Sequence, residues 1–362
     1  MKHKHIPLSK PILGRDVRKA VNRVLLSRNL AQGPQVLAFE NEFAQFVNDR
    51  ECVAVNSGTS ALHLALLSLG VGSGDEVIVP SFTFAATANS VSLTGATPIF
   101  IDIDLKTYNL DPNLIENLIT PRTKAILVVH LFGLPANMTK IAEIADRNKL
   151  LLIEDAAQAH AASVNGKPVG TFGDAAAFSF YPTKNITSGE GGMIVFKNKE
   201  HVRLAKLYRN QGMEQRYKNE IVGFNLRMSD IHAAIGRAQL KHLLKWSVKR
   251  QDNARKLSEK LENVITPYIP QDHVHVFHQY TIRVSKNRNA LSEALTQAGI
   301  GNSVYYPIPV HKLPAFNSSE LIPHTQKASE TVISLPTHPS LSKSDLKRII
   351  STVNRLVKTI NA

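Results

Sequence analysis

Short apolar segments alternate with helical patterns over the first half of the chain, and this alternation restricts the possible folds more than any other feature. Val36, Phe39 and Phe43 recur at helical spacing, and the apolar run Cys52–Val55 follows them. Four further apolar runs follow, separated by loops and helical patterns: Glu76–Pro80, Pro98–Ile101, Lys124–Val129 and Leu150–Ile153. Alternation of strands and helices predicts an α/β fold with a mostly parallel sheet and helices on both faces. In such a sheet, ligands bind at the carboxyl ends of the strands.

The last third of the chain has a different pattern, which predicts a second and smaller domain. A helical stretch from Ser229 to about Leu261 contains no proline, and we expect it to lead from one domain into the other. The pattern after it predicts a strand at Tyr280–Val284, a helix near Ala290–Ala298, a strand at Ser303–Tyr306 and a helix from about Lys343 to Ile360. We therefore expect a large α/β domain over residues 1–240, including an N-terminal arm, and a small α+β domain over residues 241–362.

Composition and charge limit the classes of partner. The 362 residues carry a formal net charge of +14, but the basic residues are spread along the chain. The sequence contains no helix-turn-helix, zinc-finger or RNA-binding signature. A diffuse positive field suits small anions, including phosphorylated cofactors and nucleotide-linked substrates, better than DNA or RNA. We therefore expect no nucleic-acid partner.

The sequence favours a cytoplasmic protein without a membrane segment or a metal centre. No apolar run approaches the roughly 20 residues of a membrane helix, and the basic start at residues 1–7 leads into no apolar segment of a secretory signal. The single cysteine, Cys52, cannot form an internal disulfide, which fits a reducing compartment. His273, His275 and His278 are the closest group of histidines, but their spacing suits no known zinc pattern and no cysteine joins them.

The segment Asn56–Ala61 follows a predicted strand and begins a predicted helix. At such a position, backbone N–H groups and the helix dipole favour an anion. The chain turns at Gly58, and the hydroxyls of Thr59 and Ser60 can add hydrogen bonds to a phosphate. The alternative is that Thr59 only caps the helix. The sequence contains no Walker A pattern, so we do not expect a nucleoside-triphosphate loop.

Two polar side chains follow the predicted strand at Leu150–Ile153. Asp155 stands where a carboxylate can hold the pyridinium nitrogen of pyridoxal phosphate (PLP) protonated, which makes the ring an electron sink. Gln158, three residues later, would lie on the same side of the next turn, within reach of the ring hydroxyl. An acidic residue at a strand end can also be a simple helix cap, and that alternative stays open.

Lys184 stands in a segment that combines several features of a PLP site. An apolar strand leads to Tyr181, Pro182 ends it, and the turn Thr187–Gly192 follows the lysine. A lysine whose pKa is lowered by burial and by neighbouring positive charge can bond the aldehyde of the cofactor and then move protons. Phe84 can stack on the pyridine ring and exclude water. The alternatives are a surface lysine in a loop and a phenylalanine in the core.

These motifs occur in one order over nearly the whole chain. In that order the sequence resembles the PLP-dependent nucleotide-sugar aminotransferases, the DegT/StrS-type family of the fold type I (aspartate aminotransferase) superfamily. Six segments carry the resemblance: Ser57–Ala61, Val79–Phe84, Glu154–Gln158, Gly170–Asp174, Ser179–Asn185 and Gly223–Asp230. The resemblance implies the fold type I architecture, with a large PLP-binding domain followed by a smaller one.

The resemblance also implies a role for each matching residue. Lys184 is similar to the lysine that holds the cofactor covalently, Asp155 to the partner of the ring nitrogen and Gln158 to the partner of the ring hydroxyl. Contacts to the cofactor's phosphate or ring are implied for four further side chains: Thr59, Ser60, Ser179 and Phe84. Asn225 is similar to an asparagine that reaches the phosphate in the neighbouring subunit, which implies a homodimer with composite active sites.

The implied reaction has two halves. L-glutamate gives its amino group to PLP, leaving 2-oxoglutarate and pyridoxamine phosphate, and the amino group then passes to a keto group on a nucleotide-linked sugar. The segment Ile186–Gly192 resembles members that aminate carbon 4 of a 6-deoxyhexose, with carbon 3 as the alternative. A branch with histidine at the lysine position removes a hydroxyl group instead, so Lys184 favours transamination over a PLP-dependent dehydratase. A non-catalytic sensor is a further rival. His160, Tyr306 and His311 are candidate sugar contacts.

Overall fold

The structure, a computed structural model, describes residues 5–361 of the chain. The strands in this range are β1 Glu51–Val55, β2 Glu76–Pro80, β3 Thr97–Ile101, β4 Thr123–Val129, β5 Leu151–Asp155, β6 Ser163–Val164, β7 Lys167–Pro168, β8 Ala175–Ser179, β9 Gly192–Phe196, β10 Met213–Gln215, β11 Lys218–Asn219, β12 His273–Val274, β13 Tyr280–Arg283 and β14 Val332–Leu335.

The α-helices in the same range are α1 Arg15–Ser27, α2 Pro34–Ala44, α3 Gly58–Ser68, α4 Ala85–Ser92, α5 Met138–Asn148, α6 Lys199–Arg209, α7 Asp230–Leu240, α8 Leu243–Lys260, α9 Arg288–Gln297, α10 Pro323–Thr331 and α11 Lys343–Asn361. Short 3₁₀ segments occur at Gln45–Val47, Pro112–Leu114, Glu116–Leu118, Leu131–Gly133 and Val310–Lys312. No helix within residues 5–361 is long and apolar enough to cross a membrane.

Seven strands form the central sheet, in the order β1–β9–β8–β5–β4–β2–β3. Neighbouring strands are parallel except at β9, which runs antiparallel to both β1 and β8. The mostly parallel sheet predicted from the sequence is therefore present. Because the strands on either side of β9 share one direction, their carboxyl ends lie at one edge of the sheet. Asp155 ends β5 and Ser179 ends β8 at this edge.

Both faces of the sheet are covered by helices. Successive side chains of a strand point to opposite faces, so Val53 and Val55 of β1 pack with α3, α4 and α6, whereas Cys52 and Ala54 pack with α2 and α7. Farther along this second face, α5 covers β4 and β5. Burial on both sides explains why these strands read as continuous apolar runs in the sequence.

The C-terminal part of the chain has its own apolar core around the two-stranded sheet of β13 and β14. Helices α8, α9 and α11 supply most of the remaining side chains of this core. Ile6, from the N-terminal segment, joins it, and the Ile6 N–H donates to the Gly299 carbonyl at 2.9 Å. The boundary expected at residue 240 falls between α7 and α8. The division into two domains stays a prediction.

The helical stretch predicted from Ser229 to about Leu261 is helical but not continuous, because the chain forms two helices, α7 and α8, that are separated by Lys241 and His242. At this break the His242 imidazole bonds to the Asp16 carboxylate of α1 at 2.7 Å. The same ring stacks on Trp246 with 5.0 Å between the centroids. His242 therefore makes side-chain contacts to α1 and α8 at the position where the sequence pattern predicts that the helix continues.

The strand predicted at Ser303–Tyr306 is also wrong. Only Ser303 pairs with a neighbouring strand, through an isolated bridge to Ser334 in β14. Tyr306 instead turns inward, where its hydroxyl accepts a hydrogen bond from Gln158 at 3.1 Å. The true partner of β13 is β14, which follows α10 directly with no turn residues to mark the change in the sequence.

Candidate active site

A cavity of about 540 Å³ lies at the carboxyl edge of the central sheet. Its walls come from the loops after β1, β2, β4, β5 and β8, together with two segments from the C-terminal part, His278–Gln279 and Tyr305–Tyr306. Eight of the site residues predicted from the sequence line it: Gly58, Thr59, Phe84, Asp155, Gln158, Ser179, Lys184 and Tyr306. Residues more than 240 positions apart in the sequence are therefore brought into one cavity.

Asp155 is held at the floor of the cavity by two hydrogen bonds. Its Oδ2 accepts from the Thr87 hydroxyl at 2.8 Å, and its Oδ1 accepts from the Ala157 N–H at 3.1 Å. Burial raises the pKa of Asp155, while these hydrogen bonds and the charge of Lys184 act in the opposite direction. A carboxylate in such a place is stabilised in its ionised form by a cation, such as a protonated ring nitrogen, that enters the cavity.

Lys184 lies in the turn after β8, where its N–H donates to the Tyr181 carbonyl at 3.0 Å. Lys184 is partly exposed because it lines the cavity, and protein surrounds it on its other sides. Burial lowers the pKa of Lys184 to about 8, and the charge of Asp155 opposes this shift. Among residues 5–361, no side chain or backbone carbonyl accepts a hydrogen bond from its Nζ. With this pKa, a much larger fraction of the amine is neutral at physiological pH than in an ordinary lysine, and the amine is unbonded, as a nucleophile must be.

The amide of Gln158 has a fixed orientation. Its Oε1 accepts from the Phe132 N–H at 2.8 Å, so its NH₂ group is directed to the other side, where Nε2 donates to the Tyr306 hydroxyl at 3.1 Å. An amide nitrogen carries two hydrogens. One N–H remains to donate to an oxygen in the cavity, which fits the role expected from the sequence.

The amino end of α3 meets the end of β8 without a side chain between them. The Ser57 hydroxyl caps the helix by accepting from the Ser60 N–H at 3.1 Å. A Cβ on Gly58 would lie 2.7 Å from the Ser179 Cβ, so only glycine allows this approach. The unbonded amides of the first helical turn therefore open beside the Ser179 hydroxyl, and together they form a cradle for an anion.

The structure does not bring four of the predicted residues to the cavity wall. Ser60 donates to the Asn56 side chain at 2.7 Å and belongs to the helix cap. His160 is buried between the rings of Phe178 and Phe180, away from the cavity, and burial lowers its pKa to about 3.

His311 is also buried, where its Nδ1 bonds to the Ser81 hydroxyl and its ring packs near Phe100. Asn225 is exposed and pairs through its backbone with Asn210. Contrary to expectation, the two histidines do not line the cavity, because each ring fills a gap in the protein interior. The roles of all the site residues stay predictions.

Several residues of the cavity were missed from the sequence. Thr87 fixes Asp155, and its hydroxyl also lies 2.9 Å from that of Thr83. His278, Gln279 and Glu190 line the wall as well. Thr87 could have been predicted from its position in the first turn of the helix after β2, at the carboxyl edge of the sheet. His278 and Gln279 gave none, because their segment follows no strand of the central sheet.

A buried carboxylate with four hydrogen bonds underlies this site. Glu154, next to Asp155 in β5, accepts from the His130 Nε2 at 3.0 Å. It also accepts from three backbone N–H groups at 2.8–2.9 Å, those of Gly170, Phe172 and Gly173. The His130 Nδ1 accepts from the Ala136 N–H at 3.1 Å, so the ring hydrogen is on Nε2. Burial alone would raise the pKa of Glu154, but these hydrogen bonds lower it below its usual value.

These residues fit PLP. The cradle at Gly58 and Ser179 suits a phosphate, the Asp155 carboxylate a ring nitrogen, the free N–H of Gln158 a ring hydroxyl, and the unbonded amine of Lys184 an aldehyde. Within the described range, no three His, Cys, Asp or Glu side chains are grouped as metal ligands.

Comparison with known proteins gives a consistent result. The model of the DegT/DnrJ/EryC1/StrS aminotransferase family matches residues 11–354. A UDP-N-acetyl-3-dehydro-alpha-D-glucosamine 3-aminotransferase from Acidithiobacillus ferrooxidans is 41% identical over 345 residues, with 94% of this chain and 93% of that protein covered.

Solved structures of the same kind are similar over nearly the whole chain. DesV from Streptomyces venezuelae has a TM-score of 0.95 and 38% identity, covering 98% of this chain and 99% of its own. NtdA from Bacillus subtilis, solved with the bound cofactor PMP, has a TM-score of 0.89 and 32% identity, covering 99% of this chain and 87% of its own.

Replacing Glu154 by glutamine should lower the free energy of unfolding by about 2–4 kcal/mol at neutral pH, because an amide NH₂ would face buried N–H donors. The pKa of Glu154 is lower in the folded protein than its ordinary value of 4.5. Its stabilising effect is therefore complete above that value and is lost as the pH falls through the folded-state pKa. Urea unfolding at several pH values should show the two proteins converge in acid. The matched control is Glu143→Gln on the exposed side of α5, which should be as stable as wild type. Equal stability of Glu154→Gln and wild type at pH 7 would contradict a stabilising role of the buried Glu154 carboxylate.

Proposed function

The chain belongs to the DegT/DnrJ/EryC1/StrS aminotransferase family, and from this premise we propose that it moves the amino group of L-glutamate to a keto group on a nucleotide-linked sugar. The family, the fold class, the aminotransferase activity and the PLP cofactor predicted from the sequence are confirmed. The donor and the identity of the sugar belong to the proposal.

The observation that carries the proposal is the position of an unbonded lysine, with a pKa of about 8, in the same cavity as a buried carboxylate. PLP bound there supplies an electron sink for the carbon from which a proton is removed. Lys184 would hold the cofactor through its Nζ and, once released, would move the proton as general base and acid. Asp155 would keep the ring nitrogen protonated, and Gln158 would donate to the ring hydroxyl.

The sugar is expected at the mouth of the cavity. Phe84 is 58% exposed there, and its ring centroid lies 6.0 Å from that of Tyr306. Tyr181 is 49% exposed at the same mouth. Aromatic rings with this exposure can stack on the pyridine ring on one side and contact a sugar on the other. Tyr306 therefore keeps its place as a candidate sugar contact, with Tyr305 beside it.

The position of amination is part of the proposal. The resemblance of Ile186–Gly192 favours carbon 4 of a 6-deoxyhexose, whereas the relative from A. ferrooxidans is named for carbon 3. We propose carbon 4 and keep carbon 3 as the alternative, to be separated by offering 3-keto and 4-keto nucleotide sugars. The lysine at position 184 favours amination over loss of a hydroxyl group.

We propose that the active protein is a homodimer with shared active sites. The cavity wall of one chain contains Lys184 as its only lysine or arginine among the described residues, against the carboxylates of Asp155 and Glu190. The ligands, by contrast, are a phosphate ester, a nucleotide diphosphate and a dicarboxylic amino acid, which are all anionic. Asn225 lies on an exposed segment with Val222, which is 90% exposed, and Phe224. An exposed apolar segment of this kind suits an interface through which a second copy completes the site.

We also propose a cytoplasmic location without membrane or nucleic-acid partners. Cys52 is buried, and burial raises the pKa of its thiol, so it is not poised for a disulfide. The division into a large domain over residues 1–240 and a small one over 241–362 belongs to the same proposal. The cavity receives side chains from both parts.

Borohydride reduction of the PLP-loaded protein, followed by peptide mapping, should place the cofactor adduct on Lys184. The variant Lys184→Ala should carry no adduct and should lose amino transfer by about 10²–10⁴-fold, since proton transfer is lost with the amine. The control Lys199→Ala removes an exposed lysine of α6 and should behave as wild type. An adduct on another lysine of the wild-type protein would contradict the proposal.

Mixing two inactive variants tests the shared site. In a dimer formed from Lys184→Ala and Asn225→Asp chains, one site carries both changes and the other carries neither. Unfolding and refolding an equal mixture should therefore restore about a quarter of wild-type activity. The same treatment of each variant alone is the control. No recovery in the mixture would mean that Asn225 does not act across the interface.

A further inference from the structure

A second, much smaller cavity lies beside Lys184, and the proposed reaction does not use it. Its volume of about 20 Å³ holds one particle the size of a water molecule. Three of its lining residues are basic, Lys10, Lys184 and Arg250, and none is acidic. The lining also includes Trp246. The residues that line this cavity therefore carry positive charge and no negative charge.

Arg250 is the unusual member of this wall. The residue is only 5% exposed, and its Nη1 donates to the Phe277 carbonyl at 3.1 Å, while its buried Nε has no hydrogen-bond partner. No carboxylate from residues 5–361 forms an ion pair with it or offsets its burial. Burial lowers the pKa of Arg250 to about 10, so the guanidinium is still charged at neutral pH. A buried charge without a counter-charge is strongly destabilising.

The other polar side chains of this cavity do not neutralise the charge. The amide nitrogens of Asn185 and Gln239 and the hydroxyl of Thr187 each donate to a backbone carbonyl elsewhere. Each amide therefore keeps one N–H that can donate into the cavity, and none of the three groups carries a charge. What the cavity lacks is a negative charge next to Arg250.

We propose that this cavity binds a monatomic anion of about the size of chloride, held by Arg250 with Lys10 and Lys184 beside it. The volume excludes phosphate, sulfate and the carboxylate of an amino acid unless the walls move apart. Because a halide needs no directed donor geometry, a guanidinium with one occupied nitrogen can bind it. Lys10 lines the cavity and is exposed to solvent.

The site has a consequence for the reaction, and this step alone rests on the proposed function. Lys184 lines both the small cavity and the large one. A bound anion adds a negative charge next to this lysine and favours its protonated form. The salt composition of the solution would then modulate amino transfer through Lys184.

Trp246 is the single tryptophan of the chain, so its fluorescence reports on this cavity. Bromide quenches indole fluorescence on contact, whereas chloride does so far less. The full-length protein, loaded with PLP, is titrated with sodium bromide while sodium gluconate, whose anion is too large for the cavity, keeps the ionic strength constant. We expect a saturable decrease in fluorescence above the linear collisional background, and we expect chloride to reverse it.

Three variants locate the effect. Arg250→Gln should lose the saturable component, and Lys10→Gln should weaken the apparent bromide affinity by about threefold. The control Arg255→Gln changes an exposed arginine of the same helix, α8, which pairs with Glu259 at 2.8 Å, and should match wild type.

Two results would overturn the proposal and indicate that the cavity holds only water. One is linear quenching alone in the wild-type protein, and the other is an unchanged saturable component in a folded Arg250→Gln. If Arg250→Gln does not fold, Lys10→Gln decides: an unchanged affinity overturns the proposal, and a weakened one supports it. The fluorescence does not depend on amino transfer, so failure of the anion site and failure of the proposed function are distinguishable.

Discussion

The buried carboxylate of Glu154 is the contact on which the geometry of the cavity depends. It joins His130, which follows β4, to the loop of residues 170–173, which leads into β8, and it does so from within β5. The Arg50 guanidinium donates to three carbonyls of that same loop. Since Asp155 follows Glu154 directly and β8 leads to Lys184, this network fixes the two reactive groups relative to each other. A loose loop at 170–173 would separate the carboxylate from the amine.

The second constraint is electrostatic. The large cavity is enclosed by protein, so its few charges are poorly screened, and burial acts on each of them. The same enclosure raises the pKa of Asp155 and lowers that of Lys184. Both pKa shifts favour cofactor binding. The raised pKa means that the Asp155 carboxylate is stabilised by a cationic partner, and the lowered pKa makes the Lys184 amine more available to bond an aldehyde. A cavity with so few fixed cations also accounts for a second subunit in the proposed assembly.

Local patterns were sufficient to predict a mostly parallel sheet and several residues at its edge, although strand β9 was not predicted. Asp155 ends β5, Gln158 lies in the loop after it and Lys184 lies in the turn after β8. Parallel strands bring such positions to one edge of the sheet. Tyr306, a predicted sugar contact, lines the cavity, although the strand predicted around it is wrong. His160 and His311 failed to reach the wall because their environment is set by packing against Phe178, Phe180 and Phe100, which no local pattern encodes. The small cavity beside Lys184 could not be predicted for the same reason, since Lys10, Lys184 and Arg250 are far apart in the sequence.

The most direct test of the central claim is an absorbance spectrum of the PLP-loaded protein before and after L-glutamate is added without any sugar. The account predicts that the visible band of the lysine-bound cofactor bleaches as 2-oxoglutarate appears, and that a keto-sugar nucleotide then restores it. A band that ignores L-glutamate would contradict the proposed donor. Absence of any band after PLP is supplied would contradict the assignment of Lys184, Asp155 and Gln158 as a cofactor site.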